Sequence, residues 1–289
     1  MSTLRELKGR IGSVASSEKI TGAMKMISSA KMHKAELALG KIVPFKSQLQ
    51  TIMSNLIATD AEYTSVLTEI RTINTVAIVV LGSDDGLCGA YNINIFKDLL
   101  IHIRSLKKQF SANVIIYPVG KKIAKAVGKL NIDGVSVVAA GVSPKADLTE
   151  VKRLTELLRD DFVASKIEKV EIFGMEYISA GKQKLKVSQL LPVASEAFGT
   201  VGESNKPYLF EPDANTIYNS ILPLYINSLM QESFLQNVAS EQAARVMAMQ
   251  SANDNAGKLL DELKLEFNKL RQQGITTELL DILGGQVEK

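Results

Sequence analysis

Apolar positions along the chain fall into three regimes. In the C-terminal part, Leu235, Ala239, Gln242, Val246, Met249, Asn253, Ala256, Leu260, Leu263, Phe267, Leu270 and Gly274 alternate steps of four and three. That 3.5-residue period predicts a helix in a left-handed coiled coil. The N-terminal part opens the same way with Leu4, Leu7, Ile11 and Val14, breaks step near Glu18 and resumes at Ile20, Met24 and Ile27. Between them, short β-branched runs ("TVAIVVL", "NVIIYPV", "VSVVAA") alternate with helical patterns over Ile95–Leu106, near Lys121–Leu130 and over Leu148, Val151, Leu154, Leu158 and Phe162. Such alternation predicts a parallel sheet flanked by helices. Ser143 and Pro144 read as N-cap and first position of the last of these helices. "KVEIFGMEYI" and "KLKVSQLL" flank the turn "SAGKQ" and predict an antiparallel hairpin at the sheet edge, and "ASEAFGTVGESNKP" reads as a loop.

Proline placement sharpens the division. Prolines stand at 44, 118, 144, 192, 207, 212 and 223, so the first 43 and last 66 residues have none. A continuous helix of the latter length reaches about 100 Å, several times the width of a small domain. The N-terminal rod carries glycines at 9, 12, 22 and 40, each costing about 1 kcal/mol in an exposed helix, and so needs a partner. The C-terminal rod is the natural one. The expected fold class is α/β: a long antiparallel coiled coil of N- and C-terminal helices (1–57 and 208–289) plus a Rossmann-like α/β domain over 74–205.

"ITGAMKMISSAKMHKA", residues 20–35, carries too many kinds of side chain for a simple seam. Ile20, Ala23, Met24, Ile27 and Ala30 share one face with Lys31, while Met32 lies nearly opposite, and no acid stands between Glu18 and Glu36. Met24, Met26, Met32, Met247 and Met249 fit a core, and Lys25, Lys31 and Arg245 a solvated face, yet a two-stranded coil hides only one stripe. A third surface wrapped around the rod would use the rest.

Charge adds a polarity. Residues 1–46 hold nine Lys and Arg against three Glu, 9 − 3 = +6, whereas residues 232–289 hold six against nine acids, 6 − 9 = −3. The net +3 is too small for phosphate binding as the main business, and there is no tryptophan to stack on a base. Cys88 alone excludes an intramolecular disulfide, and His33 and His102 offer no zinc spacing. No run approaches the ~18 apolar residues of a membrane span, and the N-terminus lacks a signal-peptide pattern, so a soluble chain is expected, bound to a membrane only through another protein.

Candidate chemistry is sparse. "LGSDDGLCGAYN", residues 81–92, follows the first strand, where α/β sheets often hold ligands, but it matches neither dinucleotide nor P-loop fingerprints. Asp84 and Asp85 read as turn residues, Cys88 as a small buried thiol, and the lysines of "GKK" at 120–122 as a solvated face. No catalytic residue, cofactor site or metal site is expected. That weighs against a small-molecule enzyme with a helical dimerisation arm, and the absence of tryptophan and of a net basic domain weighs against a nucleic-acid adaptor.

The motifs themselves carry a likeness. "KITGAMKMISSAKM" resembles the N-terminal helix of the gamma subunit of F-type ATP synthases; "ASEQAARVMAMQSANDNA" and "FNKLRQQGITTELLDIL" resemble that family's C-terminal helix, and "SDDGLCGAYN" its central turn. The resemblance implies a non-catalytic central rotor: a coiled-coil axle inside a ring of alpha and beta subunits, with the α/β domain as foot on the membrane c-ring. It further implies an epsilon-subunit partner and a peripheral place on the cytoplasmic face of a bacterial inner membrane. Position by position, it places Met24 and Lys25 near an acidic beta-subunit lever with Glu241 and Arg245 close by. Arg271, Gln272 and Thr276 would lie higher, against a catalytic-subunit loop, and Tyr208 and Glu211 against the c-ring. Asp85 stands where the family usually has arginine, and the tail "GGQVEK" is more polar than the small-residue tail the family leads one to expect.

Overall fold

The computed structural model of the chain describes residues 3–57, 63–194, 198 and 210–284. Two helices dominate it, α1 (Leu4–Ile57, 54 residues) and α5 (Ala214–Gly284, 71 residues). Between them lie β1 (Thr75–Leu81), α2 (Tyr91–Phe110), β2 (Asn113–Val119), α3 (Lys121–Val127), β3 (Val135–Val137), α4 (Leu148–Val163), β4 (Lys169–Ser179) and β5 (Lys182–Leu191).

The sheet runs β3-β2-β1-β4-β5, parallel except for the antiparallel β4–β5 edge pair, as the β-branched runs and the hairpin predict. Strand alternation divides the core. Ala77, Val79 and Leu81 face the layer of α1, α4 and α5, while Val76, Ile78 and Val80 face α2 and α3. A central strand buried on both faces reads as a continuous apolar run, and "TVAIVVL" does.

Along α5 every predicted seam position from Leu235 to Leu270 is buried or half-buried. Along α1 the 3.5-residue period never breaks: Leu7, Ile11, Val14, Glu18, Thr21, Lys25, Ser28, Met32, Ala35, Leu39, Ile42, Lys46, Leu49, Met53 and Leu56 all lie against the partner side. The expected resumption at Ile20, Met24 and Ile27 is therefore wrong: Ile20 is 60% and Ile27 55% exposed, and Met24 is half-buried. The seam passes through polar and small residues there, so an apolar pattern alone picks out the outward face instead. The helices run antiparallel: an added Cβ on Gly22 would meet Asn253 Oδ1 at 3.2 Å, one on Gly257 would meet Glu18 Oε1 at 3.5 Å, and Lys46 pairs with Glu232 at 2.5 Å.

Both rods continue through a proline, Pro44 in α1 and Pro223 in α5. The lost hydrogen bond, worth ~3 kcal/mol in an isolated helix, is offset by packing on both sides of each proline. Helix α4 starts not at Pro144 but at Leu148, capped by Asp147, whose side chain accepts from the Glu150 N–H at 2.8 Å. Strand β3 stops at Val137, so "VSVVAA" is only half a strand.

Leu263 is 3% exposed in the seam, whereas Leu265, two residues on, is 72% exposed. Leu263→Ala should therefore destabilise the outer coil by about 2–5 kcal/mol and Leu265→Ala by under about 0.5 kcal/mol, read as loss of amide-exchange protection in the 246–270 segment.

Candidate functional site

The site is a joint with a rod growing out of it. Its base is the turn after β1, where three segments converge. Gly82 approaches α3 so closely that a Cβ would meet Ile123 at 2.7 Å, and Gly120, at φ +110°, would place one 2.8 Å from the Ser83 carbonyl oxygen. Asn92 closes the turn, its Oδ1 accepting from the Ser83 N–H at 3.1 Å and its amide donating to Ser83 Oγ at 2.7 Å. Asp84 ties the neighbours: one oxygen accepts from the Lys121 N–H at the start of α3 (3.0 Å), the other from the Ser143 hydroxyl (2.7 Å). Asp85 pairs with Lys145 at 2.7 Å, which holds its carboxyl below the usual range.

Helix α5 is fastened to this turn by side chains that never reach water. Asn237 is fully buried; its amide donates to the Gly82 carbonyl at 3.0 Å, and its Oδ1 accepts from the Tyr91 hydroxyl at 2.8 Å. One turn on, Ser240 donates to the Met175 carbonyl at 3.2 Å. Then comes a buried ion pair, Glu241 with Arg245, at 2.7 Å. The same guanidinium donates to the carbonyls of Asp85 and Gly86 at 3.2–3.3 Å. Burial pushes the Glu241 carboxyl upward against the pull of Arg245. A buried pair of this kind fixes geometry more than it adds stability, because desolvation offsets most of the attraction. On the hairpin side, the Tyr177 N–H donates to Gln236 at 2.9 Å and its hydroxyl donates to Glu36 of α1.

At its far end the rod is bare. Residues 271–280 and 282 are all exposed, past the start of α1, and include Ile275, Leu279, Leu280 and Ile282. The 14 residues 271–284 form an overhang of about 21 Å. Among the described residues no cluster of three or more His, Cys, Asp or Glu could hold a metal, and no helix is long and apolar enough to cross a membrane.

A protein-family model described as ATP synthase matches residues 3–287. The ATP synthase gamma chain of Bacteroides fragilis is 38% identical over 290 residues, covering 99% of this chain and 100% of the relative. That of Psychrobacter cryohalolentis is 32% identical over 99% of this chain and 98% of the relative. The chain belongs to the ATP synthase gamma-chain family. Solved structures agree in fold: a chain of the Tetrahymena thermophila mitochondrial ATP synthase central stalk and c-ring is 22% identical, with TM-score 0.57 over 81% of this chain and 99% of that one. A chain of the Euglena gracilis mitochondrial ATP synthase is 21% identical, with TM-score 0.63 over 98% and 93%.

The positions that the gamma-chain resemblance singles out do not form one cluster. Lys25 lies in the seam and Met24 beside it, both half-buried. The register that sets Gly22 against Asn253 brings them opposite residues near 250, about 9 Å along the helix from Arg245. Glu241 and Arg245 turn into the foot rather than outward. Arg271, Gln272 and Thr276 sit together on the overhang, where the Thr276 hydroxyl donates to the Gln272 carbonyl at 2.9 Å. Glu211 is exposed just before α5; Tyr208 lies outside the described residues. The sequence reading missed Asn237, Tyr91 and Tyr177. Asn237 sits among Glu232, Ser233, Gln236, Ser240, Glu241 and Gln242, so no local pattern marks it as buried.

Burial first, and then the hydrogen bond to Glu36, push the Tyr177 hydroxyl up to about 12. A raised folded-state value means that this contact stabilises fully below the unfolded value of 10.0 and is lost as pH climbs through about 12. The Tyr177→Phe difference in phenolate absorbance should place the transition there, and Glu36→Gln should move it toward 10.0.

Proposed function

We propose that this chain is the central-stalk rotor subunit of an F-type ATP synthase. In this reading it couples ion flow through a membrane c-ring to ATP synthesis or hydrolysis in an alpha/beta ring, by rotation. The observation that carries the proposal is the bare end of α5: a helix fastened by buried contacts at one end and projecting unpartnered apolar side chains at the other needs a sleeve. Membership of the gamma-chain family supports an alpha/beta ring as that sleeve.

The chain performs no bond chemistry of its own in this account. Its asymmetric rod favours a different conformation in each subunit it faces, and the free energy comes from differential contact with those states. The outward residues Ile20 and Ile27, with Met24 and Lys25 at the seam edge, take the contacts with alpha and beta midway along the axle. Arg271, Gln272 and Thr276 take those at the tip. Glu241 and Arg245 act from inside, setting the angle at which the rod leaves the foot. The foot, with Glu211 and Tyr208, meets the c-ring and the epsilon subunit, and the assembly sits on the cytoplasmic face of a bacterial inner membrane.

Breaking the rod separates the two jobs. Leu263→Pro removes a hydrogen bond and clashes with the preceding turn, at about 3 kcal/mol or more, in the middle of the outer coil. Membrane vesicles carrying it should lose ATP-driven ion pumping and ion-driven ATP synthesis while retaining some ATP hydrolysis, since the catalytic residues belong to other chains. Normal ion pumping per ATP hydrolysed in these vesicles would contradict the rotor reading.

A further inference from the structure

A groove of about 340 Å³ lies where axle and foot diverge, and the rotor reading gives it no task. Its walls come from three elements: Ala35 and Ala38 of α1, Phe234 and Val238 of α5, and Leu148 and Val151 of α4. Small side chains on α1 open the space, and the aromatic and branched ones opposite make it apolar. Its volume is within the range of small-molecule sites.

The rim is cationic. Lys31 and Lys34 stand at its α1 edge, exposed, and neither pairs with a carboxylate of the described residues. Lys145 faces them from the turn before α4 and is already paired with Asp85. Asp85 is the carboxylate whose charge Lys31 feels, and Asp84 and Glu241 act with it on Lys145, so the unpaired cations of the rim are Lys31 and Lys34. Gln242 also lines the groove, 4% exposed; its amide nitrogen makes a long 3.4 Å contact with Glu241 Oε1 and has a second hydrogen to donate. An apolar floor, a donor in the wall and two ammonium groups without a salt bridge at the mouth describe a receptor for one kind of molecule.

We propose that this groove binds a free medium-chain carboxylate, its chain lying along Ala38, Phe234 and Val238 and its head group between Lys31 and Lys34. Decanoate, an apolar chain with one anionic head group, is the simplest molecule with that complementarity. The bound molecule touches α1, α5 and α4 together, so it braces the joint between axle and foot. Binding to the folded chain alone also raises its thermal midpoint.

Titration calorimetry of the full chain with decanoate and decylamine below their micellar concentrations, and with decanol below its solubility limit, tests this. Decanoate should bind saturably with one site per chain, and decanol and decylamine at least about tenfold more weakly, a factor equal to 1.4 kcal/mol. Lys31→Gln with Lys34→Gln, both on the surface and harmless to folding, should weaken decanoate about tenfold without affecting decanol. Ala38→Phe, checked for an unchanged circular-dichroism spectrum, should abolish both. Equal affinity for decanol, or decanoate binding indifferent to both sets of variants, would overturn the proposal. So would saturable binding to the free chain that vanishes in the assembled ATP synthase complex, because the groove would then be a subunit contact.

Discussion

Everything in this molecule depends on α5 belonging to two structures at once. Its first half is a layer of the α/β domain, and its second half is one strand of a coil. The junction is made by Asn237, held between the Gly82 carbonyl and the Tyr91 hydroxyl, and by Arg245, held between Glu241 and the carbonyls of the same turn. Leaving any of these buried groups unpaired costs about 1–3 kcal/mol, more for the charged ones, so the helix has one seat on the foot. A continuous hydrogen-bonded helix then carries that seat's orientation to a tip about 70 Å away, from Asn237 to Gly284.

The coil above the joint is not uniformly packed. At the outer end, Leu7, Ile11 and Val14 meet the Leu260–Phe267 stretch; at the inner end, Leu39 packs with Ala35 and Ala239 while Leu49 and Met53 join the foot's core. Between them the seam passes Glu18, Thr21, Lys25 and Ser28, opposite Asn253, Ala256 and Gly257. Little apolar area is available to bury there. The apolar side chains of the same segment, Ile20, Met26 and Ile27, point outward instead. A rod that hid its hydrophobes internally would be more stable alone and would offer a surrounding ring less to grip.

That inversion explains what the sequence did and did not disclose. The α5 seam was legible because its positions are mostly apolar or small at an unbroken heptad spacing, and the sheet because its central strands are buried on both faces. The α1 seam was not, since periodicity methods follow hydrophobes, and between residues 18 and 28 the hydrophobes are on the other side. Pro44 and Pro223 stand inside the helices because a helix gripped along its length tolerates a missing bond. Ser143–Pro144 looked like a helix start, but the Ser143 hydroxyl is engaged with Asp84 and the cap falls to Asp147. The joint itself was the least visible: its partners are separated by about 150 residues, and no local pattern links Gly82 to Asn237.

The central claim, that a helix seated on the foot transmits torque, is tested most directly by watching the foot turn. With the catalytic ring of the assembled complex fixed to glass and a bead attached to the α/β domain, ATP should drive stepwise rotation of the bead. Asn237→Ala together with Arg245→Ala should reduce the torque delivered to the bead while ATP hydrolysis by the complex continues. Undiminished torque in that double variant, or a bead that stays still on the native chain while ATP is hydrolysed, would contradict the account.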